Sequence, residues 1–186
     1  MDPVDFNTEF THFSGKIDLE IGCGRGVFIR HYAQLHPNRH CVAVDIRKNI
    51  IKVLQERNEN EKIDNIYLVH GSSNQCVRDL IKEDMIERIF VFHPDPWIKK
   101  KHHKRRIINA KFLEELKSKC DPNARLYVST DVELLFLEMQ ETINKTGNWL
   151  PINDDIFWEK EYKTHWHKYS VTDDRTLFYE SYQFKK

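Results

Sequence analysis

The sequence of 186 residues contains only four cysteines, which are scattered at Cys23, Cys41, Cys76 and Cys120. No two of them have the close spacing of a zinc ribbon or a redox motif. Small oxidised domains cluster their cysteines, and this chain does not. We therefore expect reduced thiols in a cytoplasmic protein, without a disulfide framework and without a metal site.

Long apolar runs are also missing. No stretch approaches the roughly 20 apolar residues of a membrane-spanning helix, so we expect no membrane partner. The first ten residues, MDPVDFNTEF, are acidic and lack the apolar core of a signal peptide. There is no internal repeat, low-complexity segment or convincing linker. We expect a single domain over residues 1–186, with a short N-terminal extension over about residues 1–15.

The chain has no net charge, because 29 lysines and arginines balance 29 aspartates and glutamates. Against this neutral background, the segment KKKHHKRR (residues 99–106) concentrates positive charge in one place. Such segregation indicates an anionic partner at that place. A solvated surface run is the alternative interpretation of the same residues.

Strand and helix patterns alternate along the chain. Strands are predicted over residues 16–21, 40–45, 65–71, 87–93 and 125–130, with a last strand in TLFYESYQF, and a turn at residues 121–123. Helical patterns follow the first five strands, over residues 27–35, from residue 50, over 75–81, from 108 and from 132. This alternation is typical of an α/β fold, in which ligands bind at the carboxyl ends of the parallel strands.

Three of only six glycines stand at alternate positions in DLEIGCGRG, at Gly22, Gly24 and Gly26. Glycines allow a tight turn and a close approach of a ligand to the backbone, and the helix that follows directs its N-terminus at the ligand. The third glycine comes one residue too early for the dinucleotide fingerprint G-x-G-x-x-G. A plain turn is the alternative.

Acids beside this loop narrow the choice of ligand. Asp18 and Glu20 lie in the strand before the loop, where a carboxylate repels a pyrophosphate and suits an ammonium group. Asp45 ends the second strand, where an acid can accept hydrogen bonds from ribose hydroxyls. A ligand with a ribose, an ammonium and a sulfonium, and without phosphate, is S-adenosylmethionine. The alternative for Asp45 is a structural capping role.

The segment HGSSNQ follows the third strand. Ser72, Ser73 and Asn74 could hydrogen-bond the adenine of that cofactor, or could cap the next helix, since serine and asparagine are preferred caps. The two roles are compatible.

The segment FHPDPWIKKKHHKRR resembles the signature F-P-D-P-W-P-K-K-R-H-H-K-R-R of the tRNA (guanine-N7-)-methyltransferase family, TrmB type. His93 is inserted in the place of an apolar or serine neighbour, or is shifted by one position. Ile98 replaces the second proline, and Lys101 replaces an arginine. The resemblance runs from about Lys16 to the C-terminus and includes LEIGCGRG, STD and an aromatic final strand. It implies a Rossmann-like class I methyltransferase fold: a mostly parallel seven-stranded sheet, helices on both faces, and an antiparallel C-terminal strand.

The resemblance also implies the reaction, transfer of a methyl group from S-adenosylmethionine to N7 of a guanine in the variable loop of tRNA. N7 has an exposed lone pair, so no general base is needed. Asp95, stiffened between two prolines, is expected to stabilise the positive charge that reaches the purine and to contribute to the cofactor site. Asp131 is the family's acid at the guanine site, or a helix cap. Trp97 is expected to stack on a base or to wall the pocket, with core packing as the alternative.

The resemblance also implies a ligand for the basic block of residues 99–106, namely the phosphates of tRNA. The residues expected to bind them are Lys99, Lys100, Lys101, His102, His103, Lys104, Arg105 and Arg106. Arg106 and one histidine could instead hold the loop against the domain.

The C-terminal part departs from the family pattern. Its T-x-x-E motif falls on THWH, where Thr164 matches and His167 replaces the glutamate. Asp174 stands at the glycine position, and Ser72 at the third-strand acid. Glu159, Glu161 or Glu180 could substitute for the missing acid. The chain could therefore be a divergent enzyme acting as a monomer or homodimer, a weakened or inactive relative that binds RNA, or a methyltransferase of another RNA.

Overall fold

The computed structural model describes residues 15–97, 99–166 and 175–186, with the backbone alone for Lys100. Within them one seven-stranded sheet has the order β3-β2-β1-β4-β5-β7-β6. The strands are β1 Ile17–Ile21, β2 His40–Asp45, β3 Ile66–His70, β4 Ile86–Phe92, β5 Cys120–Thr130, β6 Trp149–Ile152 and β7 Phe178–Phe184. Strands β1 to β5 pair in parallel, and β7 runs antiparallel to both β5 and β6. The predicted fold class is confirmed.

The helices connect the strands in chain order. They are α1 Val27–Leu35, α2 Lys48–Glu61, α3 Ser73–Gln75, α4 Ala110–Lys117 and α5 Glu133–Lys145. A π-helical turn, Cys76–Leu80, continues α3, and a second one covers Phe157–Glu161. The basic block forms a 3₁₀ helix, Lys100–Arg105.

The sheet has an apolar core on each face, because alternate side chains of a strand point to opposite sides. On one face, Leu19 and Val91 belong to a cluster that includes α4 and α5 residues such as Phe112. On the other face, Phe90 packs with Phe28 of α1 in a second cluster. The four cysteines are buried and free, as the scattered spacing predicts.

Two local points differ from the sequence patterns. The resemblance implies seven strands, but the patterns locate six, because the four residues of β6 include Pro151 and the half-exposed Leu150 and so lack a clear strand pattern. The predicted turn at residues 121–123 lies inside β5 as a bulge. There, Asn123 N donates to Asp121 Oδ1 at 2.9 Å, and the register with β4 shifts between Ile86 and Arg88.

No helix among the described residues combines the length and apolar character needed to cross a bilayer. The same residues contain no group of three or more His, Cys, Asp or Glu side chains that could hold a metal ion. The expectation of one domain over residues 1–186 includes positions outside the described ranges and stays a prediction.

Candidate functional site

The order of the strands fixes where a ligand can bind. The chain leaves β1 towards β2 and β3, and then returns to place β4 on the other side of β1. In a sheet of this kind a crevice opens at the carboxyl ends of the two strands that flank the reversal. The glycine loop after β1 and the Pro-Asp-Pro corner after β4 therefore face each other across that crevice.

The glycine loop is bent tightly over β2. Gly22, Gly24 and Gly26 all have positive φ angles, 72°, 53° and 66°, a region that favours glycine. The backbone N–H groups of Gly22 and Cys23 both donate to the carbonyl of Val44, at 2.9 and 3.0 Å. These two hydrogen bonds hold the loop against β2, so that the start of α1 is directed at the crevice.

Gly26 also lies against α2, and this contact yields a stability prediction. A Cβ atom at Gly26 would come within 2.4 Å of Leu54 Cδ2, and because Leu54 is fully buried, relieving this overlap requires packed neighbours to shift. We expect Gly26→Ala to lower the free energy of unfolding by about 3 kcal/mol in urea titrations. Gly147→Ala is the matched control, because Gly147 has a similar φ of 69° and no atom within 4 Å of the added Cβ. The control should lose about 1 kcal/mol, and equal losses in the two variants would contradict a role for the Leu54 contact.

Glu20 provides a buried carboxylate at the end of β1. Its Oε2 atom has no hydrogen-bond partner among the described residues. Burial raises the pKa of Glu20 well above its usual value, the backbone N–H of Ile29 opposes this, and the charge of Asp45 adds to it. A buried acid left unpartnered is costly, so this position favours a ligand that carries a positive charge.

Asp45 ends β2 beside the glycine loop, and its carboxylate is fully engaged. Oδ2 accepts from Gly24 N at 2.9 Å, and Arg47 donates through its backbone N, Nε and Nη2 at 2.8–2.9 Å. Burial alone would raise the pKa of Asp45, but the hydrogen bonds and charge of Arg47 outweigh it, and the pKa is lowered. Asp45 is therefore ionised at neutral pH.

Arg47 is a site residue that sequence reasoning missed. Its side chain is 57% exposed and lies over the glycine loop, with Nη2 at 3.7 Å from the ideal Cβ position of Gly24. The hydrogen bond to Asp45 raises the pKa of Arg47, and the nearby charges of Asp45 and Asp95 raise it further. The sequence does place this arginine two positions after Asp45, a spacing that allows the guanidinium to donate two hydrogen bonds to the carboxylate.

Asp18 does not share the site with Glu20. It is fully buried and accepts hydrogen bonds from Tyr32 Oη at 2.7 Å and from Arg39 Nη2 at 2.6 Å. Arg39 also donates to Glu87 at 2.6 Å. The expectation that Asp18 helps to attract a cationic ligand is wrong, because these partners already satisfy its charge.

The turn after β3 lies beside Asp45, since Gly71 N donates to the carbonyl of Asp45 at 3.0 Å. Ser72 precedes α3 but makes no side-chain capping hydrogen bond, so its capping role finds no support. The buried Oδ1 atom of Asn74 lacks a hydrogen-bond partner within the described part of the chain. Asn74 thus retains an acceptor that a ligand could use, and Ser73 is partly exposed next to it.

Asp95 is exposed in the corner between Pro94 and Pro96, and its charge acts on Arg47 from the other side of the crevice. Arg106 holds the backbone of this corner in place. Its Nε and Nη2 atoms donate to the carbonyl of Pro96 at 3.0 and 2.8 Å. The same guanidinium contacts His103 Nε2 at 3.2 Å and forms an ion pair with Glu138. Arg106 and His103 therefore have the structural contacts that the sequence left as an alternative.

The basic block presents its remaining charges to solvent. The side chains of Lys99, Lys101, Lys104 and Arg105 are exposed. Trp97 lies beside this surface with a φ of 41°, the guanidinium of Arg105 over its ring at 5.1 Å and the His102 ring at 5.6 Å. Trp97 belongs to neither apolar cluster, which speaks against its core-packing alternative.

A polar network closes the crevice after β5. Asp131 accepts from Arg175 Nη1 at 3.0 Å and lies 3.6 Å from His93 Nδ1. Tyr162 Oη is 2.9 Å from both His93 Nε2 and Ser129 Oγ. Burial would raise the pKa of Asp131, but the hydrogen bond from Arg175 and the proximity of His93 lower it overall.

Thr164 is buried, and its hydroxyl lowers the pKa of Tyr162 by hydrogen bonding, although burial raises that pKa overall. Trp166 is 51% exposed, with its ring 6.4 Å from the ring of His93. The expected roles of His167 and Asp174 lie outside the described residues, as do Ile98 and the side chain of Lys100.

Solved structures agree with the fold. A SAM dependent methyltransferase from Aquifex aeolicus aligns with 96% of this chain and 90% of its own, with a TM-score of 0.63 and 15% identity. The 16S rRNA methyltransferase KamB aligns with 96% of this chain and 92% of its own, with a TM-score of 0.67 and 13% identity. At these identities the similarity concerns the fold alone.

Sequence comparison is more specific. A family model described as "Putative methyltransferase" matches residues 14–180. A tRNA (guanine-N(7)-)-methyltransferase of Clostridium beijerinckii is 32% identical over 158 residues, which are 79% of this chain and 71% of that protein. One of Prochlorococcus marinus (strain MIT 9215) is 28% identical over 173 residues, 88% and 82% of the two chains. Together with the Pro-Asp-Pro corner facing the glycine loop, these matches show that the chain belongs to the tRNA (guanine-N(7)-)-methyltransferase family.

Proposed function

We propose that this protein transfers a methyl group from S-adenosylmethionine to N7 of a guanine in the variable loop of tRNA, forming 7-methylguanosine. The observation that carries the proposal is the buried carboxylate of Glu20 beside the glycine loop, whose Oε2 atom lacks a hydrogen-bond partner among the described residues, opposite the exposed carboxylate of Asp95. A donor with a positive charge and an acceptor that becomes positive need acids in these two places.

The residues present fit S-adenosylmethionine, which supplies an electrophilic methyl group on a sulfonium. Glu20 would bind the ammonium group through its Oε2 atom, which has no other hydrogen-bond partner in the described part of the chain. The positive-φ glycines let the ligand approach the backbone closely. Asp45 would accept hydrogen bonds from the ribose hydroxyls after one of the two side-chain hydrogen bonds from Arg47 is released. Asn74 would offer its free acceptor to the adenine amino group.

The chain's own residues would promote the reaction by position and charge. N7 of guanine carries a lone pair, so no side chain has to remove a proton. Asp95 and Asp131 would stabilise the positive charge that spreads into the purine, and Asp131 is held ionised by Arg175. The proline on each side of Asp95 and the clamp of Arg106 on Pro96 would keep the acid in place.

The tRNA would bind along the basic block, through phosphate contacts that set affinity and register without reading sequence. Exposed members of the block are Lys99, Lys101, Lys104 and Arg105. Trp97, in contact with Arg105 and His102, is placed to stack on a nucleotide that leaves the helix stack. We place the protein in the cytoplasm, where tRNA and cofactor meet, acting as a monomer or homodimer.

Mass spectrometry of nucleosides tests this function. Unmodified tRNA incubated with the protein and S-adenosylmethionine should gain about one 7-methylguanosine per molecule, and tRNA incubated without the cofactor should gain none. If the protein binds S-adenosylhomocysteine in calorimetry and yet forms no 7-methylguanosine, the proposed activity is wrong.

A second function is a related module that binds RNA without methylating it. Two observations favour it. The side chain of Arg47 already donates hydrogen bonds to Asp45, the acid expected to bind the ribose. In addition, histidine stands at position 167 in place of the family's glutamate. The same calorimetry separates the two functions, because this module should bind tRNA and show no heat with S-adenosylhomocysteine.

A further inference from the structure

His93 occupies an unusual position in the acceptor half of the crevice. It stands where the family signature has no histidine, and its φ of 46° lies in the left-handed region. Its side chain is only 4% exposed. The imidazole thus sits between Tyr162 Oη at 2.9 Å from Nε2 and Asp131 Oδ1 at 3.6 Å from Nδ1.

With a neutral imidazole, the hydrogen bonds from Ser129 through Tyr162 to His93 can all be donated in the same direction. Ser129 can donate to Tyr162 Oη, Tyr162 can donate to Nε2, and the proton is then on Nδ1, which lies 3.6 Å from Asp131 Oδ1, within ion-pair distance. The backbone reinforces the arrangement, because His93 N donates to the carbonyl of Ser129 at 2.7 Å. The other oxygen of Asp131 accepts from Arg175 at 3.0 Å, so the carboxylate is held from two sides.

We infer that His93 is a positioning residue that holds Asp131 in the guanine site and makes methyl transfer sensitive to pH. The inference rests on the proposed function. With a neutral His93, Arg175 balances Asp131, and Asp95 leaves the acceptor site with one net negative charge. A protonated His93 cancels that charge, which removes the electrostatic support for a sulfonium donor and for a purine that is becoming cationic. The rate should therefore fall as pH decreases through the titration of His93.

The surrounding charged groups define what else titrates. Asp95 lies on the same loop, Arg175 precedes β7, and Glu20 lies across the crevice on β1. Tyr162 stays neutral near pH 7, because burial raises its pKa. His165 lies on the segment that carries Trp166. Since Glu20 and His165 could also respond to acid, the test compares variants at saturating cofactor.

The variant His93→Asn tests the pH dependence, because asparagine tolerates a left-handed backbone. Between pH 8 and pH 5.5, we expect kcat of the natural protein to fall about tenfold, and kcat of His93→Asn to change by less than about twofold. His40→Asn, at the amino end of β2 and so at the end of the strand away from the crevice, should keep the natural profile. The same tenfold fall in His93→Asn would overturn the inference.

Imidazole NMR gives a readout that does not need turnover. The resonance missing from His93→Asn identifies His93, and its titration is compared in the natural protein and in Asp131→Asn. Loss of the facing carboxylate should lower the midpoint of His93 by about one pH unit. An unchanged midpoint would refute the contact even in an active enzyme. Absence of 7-methylguanosine at every pH would instead refute the proposed function, and the NMR comparison would still decide the role of His93.

Discussion

Replacement of Asp95 by alanine should reduce kcat for 7-methylguanosine formation by about 100- to 1000-fold, the loss typical of removing one group that stabilises transition-state charge. Asp95 is exposed, and Arg47 is the cation whose pKa it raises. Its removal therefore costs little folding energy, and the melting temperature should stay within about 2 °C of the natural protein. Nucleoside mass spectrometry of timed reactions measures the rate.

Two further variants make this result specific. Asp95→Asn keeps the size of the side chain and removes its charge, so it should lose nearly as much rate as alanine if charge is what matters. Asp64→Ala removes an exposed aspartate just before β3, and it should leave kcat unchanged. A kcat near normal in Asp95→Ala would exclude Asp95 from the stabilisation of the purine charge, whatever the fate of tRNA affinity.

Much of this site could be predicted from the sequence because of where the strands end. Strands β1 to β4 lie within about one residue of their predicted positions, since each is an apolar run closed by a loop. Parallel strands bring their carboxyl ends to one edge, so the glycine loop, Asp45, Asp95 and Asp131 had to be neighbours.

The pairing of side chains could not be predicted in this way. Asp18 and Glu20 are two residues apart on the same face of β1, and the sequence offers no distinction between them. Arg39, which follows α1, reaches Asp18, whereas no described residue pairs with Oε2 of Glu20. Arg47 was missed for the same reason, because periodicity shows which face a residue occupies and not which partner its side chain finds.

The place of His93 illustrates another limit. Its φ of 46° and the φ of 41° at Trp97 place a left-handed residue on each side of the Pro-Asp-Pro corner. The corner keeps its prolines and its acid, and the side chain of His93 contacts Tyr162. Local backbone geometry of this kind follows from tertiary contacts that sequence patterns do not contain.

The variant Glu20→Gln should weaken binding of S-adenosylhomocysteine, which retains the ammonium group, by about 10- to 100-fold in calorimetry. The reason is that a neutral amide cannot neutralise an ammonium in a buried site. Glu56→Gln, on the exposed side of α2, serves as the matched control and should bind as the natural protein does. Unchanged affinity in Glu20→Gln would mean that the ammonium is bound elsewhere.

The same substitution should have the opposite effect on the ligand-free protein. Burial raises the pKa of Glu20, so the folded chain holds this proton more tightly than the unfolded chain. Stability should therefore fall as pH rises from about 4.3, the ordinary pKa of glutamate, up to the raised pKa of the folded protein. Glu20→Gln removes that loss and should raise the free energy of unfolding at pH 8 by about 1 kcal/mol.

Ligand affinity should follow pH in the reverse direction, because only the ionised Glu20 attracts the ammonium and binding must release its proton. Affinity for S-adenosylhomocysteine should rise with pH until Glu20 is ionised in the free protein, and protein stability should fall over the same range. Both trends should disappear in Glu20→Gln. If affinity and stability still respond to pH in that variant, a group other than Glu20 titrates. The carboxyl of Glu20 would then explain neither the loss of stability in the free protein nor the gain in affinity for the ligand.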